Sequence, residues 1–181
     1  MSPRSVATVA VLAALVAALG FLLSGILHIP NVELVSLASF ASGTLLGPSR
    51  GAAASGLGMA IYSGLNPYGA APPPTYLSQV AGMALFGAAG GVAGPPIASP
   101  SFAKWRGALA AGGLGLVLTF LYDGLTNLGT AISIGAARHP WPILVAGWAF
   151  GAWHVASNVV FFAGLAPPLL AALRRRRAAA L

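Results

Sequence analysis

From Gly107 to Ile134 the chain reads GALAAGGLGLVLTFLYDGLTNLGTAISI, with a single charged residue, Asp123. A bilayer-spanning helix needs roughly 20 consecutive, mostly apolar residues, and this run exceeds that. Working outward, comparable runs follow one another along the 181 residues, of which 57% are hydrophobic and 6% charged. A soluble domain carries about 25% charged residues, so this chain could not cover a water-facing surface of ordinary area. The sequence predicts an all-α integral membrane protein, a six-helix transmembrane bundle forming a single domain over residues 1–181.

The six segments cover about Ser5–Ile29, Val32–Leu46, Arg50–Leu65, Thr75–Val92, Gly107–Ile134 and Trp141–Leu173. The second and third are short for a full span. Turn chemistry separates the segments: His28–Asn31, Gly47–Arg50, Asn66–Gly69 followed by Pro72–Pro74, Gly94–Pro96, and Arg138–Pro142. Proline cannot continue a helix and restricts the residue before it. The N-terminal run resembles a secretory signal, but no small-x-small cleavage site precedes a polar mature domain, so it reads as a retained first helix.

Charge sets the orientation. If the sides alternate from the N-terminus, Arg4, Arg50, Lys104, Arg106 and Arg174–Arg177 share one side, and only Arg138 falls on the other. Basic residues are retained in the cytoplasm, which puts both termini there and makes the protein a multi-pass component of the cell inner (plasma) membrane. A net charge of +7 spread over segment ends speaks for contact with membrane lipid rather than nucleic acid. The chain has no cysteine, which excludes disulfides and thiolate chemistry. No metal or cofactor site is read from the sequence.

The only two carboxylates, Glu33 and Asp123, fall within the apolar segments. Intramembrane ionisable residues are costly and mark function. Asp123 and Asn127 share a helix face at i, i+4, and His154, Ser157 and Asn158 share another. By depth, Asp123 and Asn127 lie in the outer half and His154 near the middle, with Glu33, Asn66, Tyr68 and Gln79 at the outer side, whereas the inner halves hold little beyond Ser and Thr. That pattern describes a cup open to the outside, not a conducting pore. With no buried Arg or Lys in it, the cup suits a neutral or cationic compound. In the first segment Ala10, Ala14 and Ala18 recur every four residues, a small-residue face that lets another helix approach closely.

On these residues the chain resembles a substrate-binding S component of an energy-coupling factor (ECF) vitamin transporter. The likeness rests on size, the AxxxA face, the stretch from Asn31-Val32-Glu33-Leu34-Val35 through Leu46-Gly47-Pro48-Ser49-Arg50-Gly51-Ala52, the turn Asn66-Pro67-Tyr68-Gly69, and the Asp123 and His154 clusters. The resemblance implies capture of a vitamin-like small molecule in an outward-facing pocket closed by loops. It also implies docking onto a transmembrane coupling subunit that carries two cytosolic ATPase subunits, and toppling in the membrane to present the pocket inward. It assigns the coupling face to Ala10, Ala14 and Ala18. The pocket would draw on Glu33, Asn66, Tyr68, Asp123, Asn127, His154 and Asn158, with Gln79 beside them by position. The chain has no GxxxxGK[ST] loop, so it is not the ATP-hydrolysing motor.

Other readings compete. An intramembrane serine protease needs a nucleophile in a GxSG turn with a histidine on another helix. Ala53-Ala54-Ser55-Gly56 lacks the first glycine, and Ser55 lies far in depth from His154, so the chain is not read as an enzyme. A small metal transporter would use Asp123 and His154, too few ligands for a strong site. A membrane scaffold or assembly protein without ligand is the remaining alternative.

Overall fold

A computed structural model describes residues 2–22, 32, 34–99 and 104–179, with side chains as far as Arg175. Glu33 and most of the turn after the first segment lie outside the described residues. Those described form six helices: α1 (Pro3–Gly20), α2 (Val35–Leu46), α3 (Pro48–Gly64), α4 (Pro73–Ile97), α5 (Lys104–Ser133) and α6 (Trp141–Ala179). Among the described residues there is no strand. Four of the helices, α1, α4, α5 and α6, are long and apolar enough to cross a membrane, whereas α2 is a shorter apolar helix.

Two boundaries differ from expectation for a physical reason. α4 continues past Val92 through Pro95 and Pro96 to Ile97, and α6 passes through Pro167 and Pro168 and on beyond Leu173. Each proline removes one helical donor. In an apolar surrounding an unwound backbone would forfeit many more, so the helix persists. Between α2 and α3 the reversal is abrupt. Gly47 takes φ 84°, a left-handed backbone open to glycine, and Pro48 opens the next helix, where its missing N–H costs nothing.

α4 occupies the middle, packed against α2, α3 and α5, while α6 packs on α5 and α2. α1 lies at the rim against α3 and α2. Burial away from lipid gives helices little hydrophobic drive to associate, so close backbone approach does much of the work. A Cβ on Gly43 of α2 would strike the Gly87 carbonyl of α4, and one on Gly87 would strike Gly51 of α3. The three helices therefore meet backbone to backbone. Beside this seam Phe40 of α2 stacks edge-on to Phe162 of α6 at 5.3 Å, and Phe86 of α4 lies 5.9 Å from Phe162 and 6.4 Å from Tyr122 of α5.

The outer surface suits lipid. Leu109, Val117, Phe120, Leu121, Val145, Phe150, Trp153 and Val160 are exposed along α5 and α6. Trp105 opens α5 and Trp141 opens α6, both exposed, at opposite ends of the molecule, as interfacial aromatics do.

The basic residues gather at one end. Arg50 donates to the Leu46 carbonyl at 3.1 Å and to the Ser5 hydroxyl at 3.0 Å, which joins the starts of α1 and α3. Lys104, Arg174 and Arg175 border one cavity at the ends of α4 and α6, and Thr44, Leu45 and Arg174 border the next. Arg138 is in the α5–α6 loop at the other end.

Candidate functional site

α5 and α6 run antiparallel and interlock through small residues, which brings their polar groups together in tiers one helical turn apart. In the central tier Asp123 lies over Gly151. A Cβ there would come within 2.7 Å of its Oδ2, so only glycine leaves room for the carboxylate. From that position Asp123 Oδ1 meets His154 Nδ1 at 2.8 Å, with both residues buried. The Tyr122 ring stands edge-on to the imidazole at 6.0 Å and is itself seated against Gly82 of α4.

Toward the α5–α6 loop, Asn127 occupies the space that a side chain on Gly147 would need. Beside it the Trp148 indole stacks on Phe120 at 4.6 Å and 11°. In the opposite direction are Thr119 of α5 and Asn158 of α6, both fully buried, the latter near Gly115. Asn158 is one turn from Phe162, and Ser36 of α2 is one turn from Phe40. Both therefore cap the same side of the phenylalanine cluster.

The hydrogen bonding of this region is incomplete within the protein. Asp123 Oδ2, Asn127 Nδ2, Trp148 Nε1, Thr119 Oγ1 and both amide atoms of Asn158 are buried with no partner among the described residues. The same holds for Gln79 Oε1 on α4 and for the hydroxyls of Ser36, Ser39 and Ser63 on α2 and α3. Buried polar groups nearly always find partners, and leaving one unmade costs about 1–3 kcal/mol. Those on α5 and α6, near one carboxylate, form a surface that a polar ligand could complete. No lysine or arginine side chain is among them.

The sequence-derived residues thus divide. Asp123, Asn127, His154 and Asn158 come together on facing surfaces of α5 and α6, and Gln79 is on the adjoining α4. Asn66 and Tyr68 stand apart in the α3–α4 loop. There Asn66 Oδ1 accepts from the Tyr68 amide at 2.9 Å, shaping the turn, while the Tyr68 ring is exposed. Ser157 donates to the His154 carbonyl at 3.0 Å. On α3, Ser55 donates to the Ser39 carbonyl at 3.3 Å. Ala10, Ala14 and Ala18 are exposed, and α1 instead buries Ala13, Val16, Ala17 and Gly20.

Thr119, Ser36, Ser39 and Ser63 escaped the sequence reading. Hydroxyl residues in membrane helices commonly bond to their own preceding turn, as Ser42 and Thr130 do here, so their presence alone carries no signal. The spacing of Thr119 four residues before Asp123 on one face could have raised it.

In comparison with known proteins, the family model described as "ECF-type riboflavin transporter, S component" matches residues 1–175. No curated protein and no solved structure matches the chain.

Proposed function

Because the chain belongs to the ECF-type riboflavin transporter S component family, a family of membrane transport subunits that bind a vitamin-like substrate and pair with an ECF module, we propose that its substrate is riboflavin. The supporting observation is the set of orphaned polar atoms around the Asp123–His154 pair. Riboflavin is neutral at physiological pH. Its ring system presents imide N–H and carbonyl groups along one edge, and its ribityl chain carries hydroxyls that both donate and accept. A site with a carboxylate oxygen, amides and hydroxyls, but no cation, matches that inventory. The aromatic side chains Tyr122 and Trp148 flank it, as suits a planar ring. A flavin phosphate would bring a dianion to a site without a counter-charge, so it binds more weakly.

In this reading the end bearing Arg138 faces outside, and the basic end, with both termini, faces the cytoplasm. Substrate enters from the outer end, with Asn66 and Tyr68 close to its entrance. The exposed Ala10, Ala14 and Ala18 face receives a helix of the transmembrane coupling subunit, whose two ATPases supply the energy.

Titration of purified protein with riboflavin, read by quenching of flavin fluorescence, tests this. Saturable one-to-one binding is expected, with flavin mononucleotide weaker. Asp123→Asn keeps shape and removes charge. Affinity should fall by ~1.5–3 kcal/mol, roughly ten- to a hundredfold. If riboflavin gives no saturable signal while another vitamin does, the substrate assignment fails and the family assignment stands.

A further inference from the structure

We propose that the cavity at the basic end binds the headgroup of an anionic phospholipid. The cavity has a volume of about 700 Å³ and lies between the end of α4, the start of α5 and the last turns of α6, within the usual range of ligand pockets, about 300–1,000 Å³. A second space of about 410 Å³ adjoins it, sharing Ala98, Ser99 and Arg174.

Its chemistry is divided. Lys104, Arg174 and Arg175 supply three cations. The chain has only two side-chain carboxylates. One, Asp123, is bonded to His154, and among the described residues no carboxylate lines the cavity. The cations are therefore available to an external anion. The rest of the wall is apolar and small, including Ala163, Gly164, Pro167 and Pro168. Because prolines have no N–H, Pro167 and Pro168 leave the carbonyls of Ala163 and Gly164 without their helical donors. Those carbonyls can accept from a headgroup hydroxyl beside the phosphate, which favours phosphatidylglycerol.

Position decides between a lipid and a soluble phosphate. Leu109 on α5 and Leu165 and Leu169 on α6, adjoining lining residues, are exposed apolar side chains of the lipid-facing surface. Trp105, next to Lys104, is exposed with the Arg106 guanidinium 5.3 Å from its ring centre, an interfacial signature. A molecule with a phosphate at this level and acyl chains along α5 and α6 satisfies both halves of the wall. A soluble anion satisfies one. The assignment is independent of the substrate and rests only on this end meeting a membrane surface.

Gly164 provides an uncharged test, because a Cβ there meets no atom within 4 Å. Gly164→Leu starts its side chain in open space on the cavity wall and takes up cavity volume. Native mass spectrometry of the purified full chain would be carried out with phosphatidylglycerol, phosphatidylcholine of the same acyl chains, and inorganic phosphate. One retained phosphatidylglycerol per chain is expected, with affinity lowered roughly tenfold or more by Lys104→Gln with Arg174→Gln, and lowered also by Gly164→Leu. Arg4→Gln with Arg50→Gln, which removes equal charge elsewhere on the same end, should leave it unchanged. Three results would overturn the assignment. Equal retention of the two lipids would make the contact non-specific, and displacement by inorganic phosphate would make the ligand soluble. If the Lys104, Arg174 and Gly164 variants hold the lipid normally but no longer bind the coupling subunit, the surface is a protein interface.

Discussion

At the scale of single residues, Asn158 is the most informative. It is fully buried, yet neither its side-chain oxygen nor its nitrogen has a partner among the described residues. A structural amide would be bonded, whereas an amide kept for a ligand is a cost to the empty protein. The two roles predict opposite signs. Asn158→Leu keeps volume and removes both orphans, so the ligand-free protein should gain ~1–3 kcal/mol, read as a higher Tm, while riboflavin affinity falls. A lower Tm would make the amide structural. Asp123 differs because one oxygen is already committed to His154 and the other rests against Gly151 without a bond. Its spacing with Asn127, and that of His154 with Asn158, were legible in the sequence because intramembrane polar groups are rare. That Asp123 could pair with His154 was one reading the sequence offered, and it left open whether the two meet. Pairing across two helices depends on which faces oppose, and here glycines at 147 and 151 decide that.

At the scale of elements, glycine placement sets how near the helices come. Gly87 sits where α2, α3 and α4 converge, so Gly87→Val should overpack the seam and destabilise the protein by about 1–3 kcal/mol or more. Gly113 on α5 meets nothing within 4 Å. Gly113→Ala should leave stability unchanged or raise it by roughly 0.5–1 kcal/mol, since glycine is a poor helix former. Thermal unfolding of the two variants side by side separates packing from propensity. α1 makes the complementary case. Its buried edge is Ala13, Val16 and Ala17, and the AxxxA positions are turned away from the rest of the chain. Ala14→Trp should therefore leave folding and riboflavin binding intact and abolish uptake by the assembled transporter, because a bulky ring keeps a partner helix at a distance. Loss of ligand binding in this variant would make the face internal.

For the whole molecule, charge and shape point the same way. The basic residues of four separate chain segments gather at one end, and the orphaned polar groups near Asp123 lie away from it, along α5 and α6. Reporter fusions after Leu181 and within Pro72–Pro74 should lie on opposite sides of the membrane, and agreement between them would refute the six-span arrangement. Composition and segment length were enough to determine the all-helical, membrane-embedded character, because a bilayer leaves a backbone few ways to satisfy its polar groups. They were also enough to locate four of the six helices to within a few residues at the ends that the structure describes. The ends of α4 and α6 were misjudged, since a proline pair near a helix terminus removes too few bonds to stop it in an apolar setting. Tertiary structure alone decided the rest: the joining of Asp123 to His154, the burial of Thr119 and Asn158 without partners, the outward turn of Ala10, Ala14 and Ala18, and the basic cavity. Each of these depends on the rotation of one helix against its neighbour. In a chain this rich in alanine, glycine and leucine, where the apolar pattern runs almost all the way round each helix, the sequence carries little record of that rotation, and backbone contacts between glycines fix it.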